Sequence, residues 1–100
     1  MVHIVWEFRV KPDRVAEFEQ HYSSHGTWAA LFRKSPKYYG TVLTQDLADP
    51  TRYLLTDLWE SAEALDEFKR VNLTDYDALD KKCEALTMSE VKVGAFQKLD

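Results

Sequence analysis

The sequence has only one cysteine, Cys83. A single thiol excludes an internal disulfide and a cysteine metal cluster, and it suits a reducing compartment. No stretch approaches the roughly 20 apolar residues of a membrane span. The first ten residues also lack the basic segment that precedes the apolar run of a signal peptide. These absences predict a soluble cytoplasmic domain.

Positive charge and several catalytic motifs are also scarce. The chain has 13 Lys and Arg residues against 17 Asp and Glu, giving a net charge of −4, and the basic residues are dispersed. This balance argues against a general binder of nucleic acid or anionic membranes. A glycine-rich phosphate loop, a nucleophile elbow and an HExxH metal motif are absent.

The composition is that of one globular domain. The chain has 100 residues, of which 45% are apolar and 13% aromatic, so residues 1–100 are expected to fold as a single unit. A chain of this size buries a modest fraction of its surface, and oligomerisation would add to its stability.

Hydrophobic periodicity predicts four strands. The first ten residues alternate strictly, with Val2, Ile4, Trp6, Phe8 and Val10 on one side. Strands are also predicted over 39–47 and 52–59, joined by a four-residue turn that favours an antiparallel pair, and over 90–99.

Two helical regions, each broken in two, lie between the strands. Pro12-Asp13 leads into a helix that Gly26 interrupts, and Thr27 is predicted to cap the helix that follows. Ser61 is predicted to cap the third helix, and Thr74 begins a capping-box spacing for the fourth.

The resulting order, β-α-β-β-α-β, is that of a ferredoxin-like α+β fold. Its four-stranded antiparallel sheet carries helices on one face only. The uncovered face would be too apolar for water, because five of its residues are Val5, Val42, Leu54, Leu58 and Phe96. A second copy covering this face predicts a homodimer.

Two histidines four residues apart, His21 and His25, occur in the stretch HYSSHGTW. A continuous helix would turn His25 partly inward and leave His21 on the solvated flank. No third ligand is positioned to complete a metal site, so we expect no metal here. His25 is instead a candidate pocket base, because an imidazole pKa near ~6.5 suits proton abstraction.

Four segments of the chain carry a family resemblance: WEFRVKPDRVAEFE, WAALFRKSPKYYGTVLTQDLADPTRYLLTDLWES, YDALDKKCEALT and, in the last strand, VGAF. They resemble the antibiotic biosynthesis monooxygenase (ABM) family of dimeric α/β barrels. The resemblance implies a homodimer whose sheets face each other, with a pocket in each subunit between sheet and helices. It also implies oxidation of small aromatic, polyketide or quinol-like substrates by dioxygen without metal or flavin. An electron-rich substrate can itself pass an electron to oxygen once it is deprotonated, provided that water is excluded.

Nine residues are candidates for this pocket. The candidate catalytic residues are His25, Asp57 and Arg33. The candidate substrate-binding residues are Trp6, Trp28, Phe32, Tyr53, Trp59 and Tyr76, of which Trp59 is placed by the resemblance. Five of these aromatic residues have types and positions that more often belong to a packed core than to a pocket wall: Trp6, Trp28, Phe32, Trp59 and Tyr76. Asp57 shares the alternation of Leu55 and Trp59, so its carboxylate must be paired or have a raised pKa. Arg33 could face an oxyanion or form a surface ion pair.

Two other functions remain open. The chain could be a non-catalytic member that binds a small apolar molecule. Haem binding would need an axial histidine after Trp59, and residues 62–86 contain none. Family members that degrade haem carry an Asn where this chain has Trp6, which also argues against haem.

Overall fold

The computed structural model describes all 100 residues and contains four strands and four α-helices. The elements are β1 (Val2–Val10), a 3-10 turn (Pro12–Arg14), α1 (Val15–Tyr22), α2 (Thr27–Phe32), β2 (Tyr38–Gln45), β3 (Arg52–Trp59), α3 (Ala62–Val71), α4 (Leu73–Glu84) and β4 (Thr87–Gln97). None of the helices is long and apolar enough to cross a membrane.

The four strands form one antiparallel sheet in the order β2-β3-β1-β4. The helices cover one face of this sheet, where Ile4, Phe8 and Leu55 are buried with helix residues such as Phe18 and Phe68. The predicted ferredoxin-like α+β fold is therefore confirmed.

The other face carries no helix. Val42, Leu54 and Phe96 on this face are 49%, 37% and 50% exposed, large values for apolar side chains inside strands. The charged residues at one end of the face are paired with each other, since Arg52 bonds to Glu7 and Asp46. The apolar side chains of this face therefore remain exposed to solvent.

Strand ends differ from their predicted positions by a few residues. β2 ends at Gln45 rather than residue 47, because the Asp46 and Asp49 carboxylates accept hydrogen bonds from the backbone N–H groups of Ala48 and Thr51. These local bonds turn the chain out of the ladder. β4 begins at Thr87 rather than residue 90, because it pairs with β1 as far as Val10.

One of the three predicted helix caps is confirmed. Ser61 caps α3 as predicted and accepts a 3.1 Å hydrogen bond from the Ala64 N–H. The prediction for Thr74 was wrong, because only Asn72 separates α3 from α4 and leaves no extended residue to cap. The prediction for Thr27 was also wrong: Gly26 holds the cap position of α2.

Gly26 makes the junction between α1 and α2 compact. A Cβ at this position would lie 2.6 Å from the His21 carbonyl oxygen, which is closer than the Cβ of any side chain approaches a backbone oxygen. The chain therefore turns here only because the residue has no side chain. This turn brings α2 back against the sheet and positions Trp28 and Phe32.

Candidate functional site

A narrow cavity opens between the sheet and the helices. Its volume is about 40 Å³, room for a few water molecules at most. Six aromatic rings from β1 and the helices form most of its wall: Trp6, Phe8, Tyr22, Trp28, Phe32 and Tyr76. Thr41, Leu55 and three carboxylates account for the rest of its lining.

Asp57 is the carboxylate of the cavity that is most deeply buried, with 6% of its surface exposed. Thr41 lies opposite on β2, and its hydroxyl donates a 2.7 Å hydrogen bond to Asp57 Oδ1. Burial raises the pKa of Asp57 to about 6, although this hydrogen bond and the charge of Lys69 act in the opposite direction. A carboxylate with this pKa is a competent general base near neutral pH.

A tyrosine extends this hydrogen-bonded pair. The Tyr38 hydroxyl contacts Thr41 Oγ1. Because Thr41 has one hydroxyl proton and gives it to Asp57, Tyr38 must donate to Thr41. Both hydrogen bonds are therefore donated toward the carboxylate, from Tyr38 to Thr41 and from Thr41 to Asp57. This series of bonds holds Oδ1 of Asp57 in place.

Two further carboxylates line the cavity, Asp80 from α4 and Glu90 from β4. Burial raises the pKa of Glu90, and the charges of Asp80 and Glu84 raise it further. Burial likewise raises the pKa of the Tyr76 hydroxyl. Lys69 lies beside the same ring, with its Nζ 5.3 Å from the ring centroid. The structure contains no cluster of three or more His, Cys, Asp or Glu side chains that could hold a metal ion.

Two indole N–H groups are buried without a hydrogen-bond partner, those of Trp28 and Trp59. An unpartnered buried donor costs free energy, so such groups call for an explanation. Trp28 lines the cavity, whereas Trp59 is packed against Phe32, Tyr38 and Phe68. The Trp28 side chain also interacts with the Tyr22 hydroxyl and the Cys83 thiol, so its ring rather than its N–H forms part of the cavity wall.

Five of the nine candidate residues line the cavity: Asp57, Trp6, Trp28, Phe32 and Tyr76. The remaining four lie elsewhere. Trp59 is fully buried in the core, and Tyr53 bonds to Glu19 and Gln45 beside a separate, open groove. Arg33 is exposed and donates a 2.9 Å hydrogen bond to the Ser24 carbonyl.

The expected orientation of the two histidines was wrong. His21 is 6% exposed, and its Nδ1 lies 2.9 Å from Thr27 Oγ1, whereas His25 is exposed and outside the cavity. The reason is that α1 ends at Tyr22 and Ser23 is extended, so helical geometry does not continue to His25.

Thr41, Asp80 and Glu90 were missed in the sequence. The hairpin register could have indicated Thr41, since a turn over residues 46–51 pairs it with Asp57. Asp80 follows Tyr76 by four residues on α4, a spacing that places both on one side of the helix. Glu90 carries no comparable signal, because a bulge in β4 shifts its register against β1.

The fold and this cavity define an α+β protein with a candidate site between one sheet face and its helices. The sequence pattern of the antibiotic biosynthesis monooxygenase family matches residues 1–72. The chain therefore belongs to this family.

Solved structures agree with this assignment at the level of fold. SnoaB from Streptomyces nogalater, described as a cofactor-independent oxygenase, is 20% identical with a TM-score of 0.80, and the match covers 99% of this chain and 93% of SnoaB. A point mutant of SnoaB gives a TM-score of 0.81 with the same identity and coverage. PA3566 from Pseudomonas aeruginosa is 17% identical with a TM-score of 0.71, covering 99% and 94% of the two chains. No curated protein matches the sequence.

Proposed function

We propose that this protein is a monooxygenase that oxidises a small aromatic, polyketide or quinol-like substrate with dioxygen, without a metal or organic cofactor. The observation that carries the proposal is Asp57, a carboxylate with a pKa of about 6 in an aromatic cavity. Membership of the family and the oxygenase activity named for SnoaB support it.

The chemistry requires a base and exclusion of water. Asp57 removes a proton from the substrate, and the resulting anion gives one electron to dioxygen. The radical pair combines to form a C–O bond, and the peroxide takes a proton and loses water as its O–O bond breaks. A CH₂ group thus becomes a carbonyl: one oxygen atom enters the substrate, and the other leaves as water with both hydrogens. The aromatic wall keeps bulk water from the reactive anion.

Entry of a substrate requires the wall to move, because about 40 Å³ is too small for an aromatic ring system. Trp6 and Tyr76 are the wall residues best placed to move, since both are only partly buried. We propose that these two rings swing outward to admit the substrate and then cover it.

The test is oxygen consumption in the presence of a metal chelator, with a panel of anthrones, naphthols and quinols. The proposal expects turnover of at least one class and loss of about 100-fold or more in Asp57→Asn, the range of a general base. Absence of turnover by the unmodified protein at enzyme concentrations equal to substrate would refute the proposal for those classes.

A second candidate function is binding without chemistry. It is favoured by one observation: no Lys, Arg or His lines the cavity to stabilise an oxyanion. A binding protein would retain a ligand detectable by native mass spectrometry, and this ligand would stabilise the protein without being converted.

We propose further that the protein is a homodimer joined through its open sheet faces, with one cavity in each subunit. The exposed apolar patch around Leu54 supports this arrangement, because a second copy would remove it from water. We also propose a cytoplasmic location, since Cys83 is unpaired and buried.

A further inference from the structure

The charged groups that line the cavity all have one sign. Asp57, Asp80 and Glu90 are its three carboxylates, and no lysine, arginine or histidine lines it. Arg33, the cation expected there, is exposed and bonded to the Ser24 carbonyl. A ligand in this cavity therefore meets negative charge without a protein cation inside.

One ammonium group lies near the cavity but outside its lining. Lys69 places Nζ 5.3 Å from the centroid of the Tyr76 ring, and its charge favours the ionised forms of Asp57 and Glu90. One lysine cannot balance three carboxylates. The position of Lys69 also shows that an ammonium group is accommodated against an aromatic ring of this wall.

The carboxylates do not suit a metal ion. They come from three different elements, β3, α4 and β4, and do not form a cluster with metal-binding geometry. Six aromatic rings line the same cavity instead. Ring faces combined with separated carboxylates are the chemistry that recognises an organic ammonium ion.

We propose that the cavity selects substrates with a positive charge, specifically phenol-type aromatic compounds with an ammonium group on a short side chain. The ring would lie among the aromatic residues near Asp57, and the ammonium group would lie toward Asp80 and Glu90. This inference rests on the proposed role of the cavity as the substrate site, but not on the oxidation itself.

Such a substrate fits the proton transfer described above. When Asp57 accepts a proton, its negative charge moves to the substrate, so the net charge in the cavity is unchanged. The ammonium group of the substrate offsets the charges of Asp80 and Glu90, for which the cavity lining holds no cation. A substrate with a carboxylate would instead add a fourth negative charge to the site.

The experiment compares three phenols of similar size but different charge: tyramine (cationic), 4-ethylphenol (neutral) and 3-(4-hydroxyphenyl)propionate (anionic). Binding to the unmodified protein is measured by isothermal titration calorimetry at pH 7.5 and low ionic strength. We expect tyramine to bind at least about tenfold more tightly than 4-ethylphenol, and the propionate to bind more weakly than both. Added salt should reduce the preference for tyramine.

The variant Asp80→Asn/Glu90→Gln removes two carboxylates of the cavity and spares Asp57. It should reduce the preference for tyramine over 4-ethylphenol to about threefold or less. Asp66→Asn/Glu63→Gln is the matched control, since it removes the same charge from α3 at residues that do not line the cavity. The control should retain the preference, and circular dichroism establishes that both variants are folded.

Equal binding of tyramine and the propionate would overturn the inference, as would a preference that survives in the cavity variant. Failure of all three phenols to bind at millimolar concentration would also overturn it. The two proposals fail separately: a charge preference without oxygen consumption refutes only the monooxygenase, whereas turnover of neutral substrates without any charge preference refutes only the ammonium selectivity.

Discussion

The Thr41 hydroxyl donates a 2.7 Å hydrogen bond to Oδ1 of Asp57 from the neighbouring strand, and this is the only hydrogen bond to that carboxylate in the structure. Because Tyr38 contacts the same hydroxyl from the other side, Oδ1 is held in place. Oδ2 therefore remains the oxygen that can accept a proton in the cavity, and Thr41 is a positioning residue for it.

Replacing Thr41 with Val should shift the pH dependence of activity. The hydrogen bond from Thr41 stabilises the ionised form of Asp57, so its loss raises the pKa above the present value of about 6. Since the base must be ionised, kcat/KM should rise with pH in the unmodified protein and reach half its plateau at higher pH in Thr41→Val. Thr44→Val is the control, because Thr44 on the same strand donates to the Leu54 carbonyl instead. Identical profiles for Thr41→Val and the control would contradict this role.

Replacing Asp57 with Asn should stabilise the protein at high pH. Below the unfolded pKa near 3.8, Asp57 is protonated in both states and has no effect. Between about 3.8 and about 6 only the unfolded chain ionises, so the folded protein loses stability over this window, and the loss is complete above it. The difference of roughly two units corresponds to about 3 kcal/mol in the free energy of unfolding. Asn avoids this penalty, so the variant should gain stability over the unmodified protein at pH 8 but little at pH 4. Urea unfolding at both values measures the gain, and an equal gain at pH 4 and pH 8 would rule out this account.

Replacing Leu54 with Glu should break the proposed homodimer. Leu54 is 37% exposed on the open sheet face, and a charge there would be buried without a partner in the interface. Sedimentation velocity should show a dimer for the unmodified protein at micromolar concentration and a monomer or aggregate for the variant. Leu47→Glu is the matched control, since Leu47 is fully exposed in the turn after β2 and should leave the dimer intact. A monomeric unmodified protein would refute the dimer.

The two unpartnered tryptophans should respond differently to replacement by Phe. Trp28 lines the cavity, and its indole ring is part of the wall against which a substrate would pack, so Trp28→Phe should lower kcat/KM by about tenfold. Trp59 has the same unpartnered donor but lies in the core. Trp59→Phe should therefore change mainly the unfolding midpoint and leave kcat/KM within about twofold once folding is verified. Equal losses of activity in both variants would assign Trp28 a packing role only.

The fold and much of the site could be predicted from local patterns. Alternation in residues 2–10 places Ile4 and Phe8 on one face and Val5 on the other whatever the rest of the chain does, because side chains on a strand point to opposite sides in turn. The same rule put Asp57 on the side of Leu55 and Trp59, where it is found. That placement predicted a carboxylate that is either paired or raised in pKa, and Asp57 is both: Thr41 donates to it and burial raises its pKa.

The tertiary structure decided which of these inward residues share the cavity. Thr41 and Asp57 face each other across one hairpin, but Glu90 lies on β4, more than 30 residues further along the chain, and its proximity depends on the bulge in β4. The helix end at Tyr22 and the close turn at Gly26 exclude His25 and bring Trp28 in. The sequence by itself thus determined which face of each element is apolar, because that depends only on the period of the backbone. The sign of the charge in the cavity arises where separate elements meet, so it became visible only in the assembled fold.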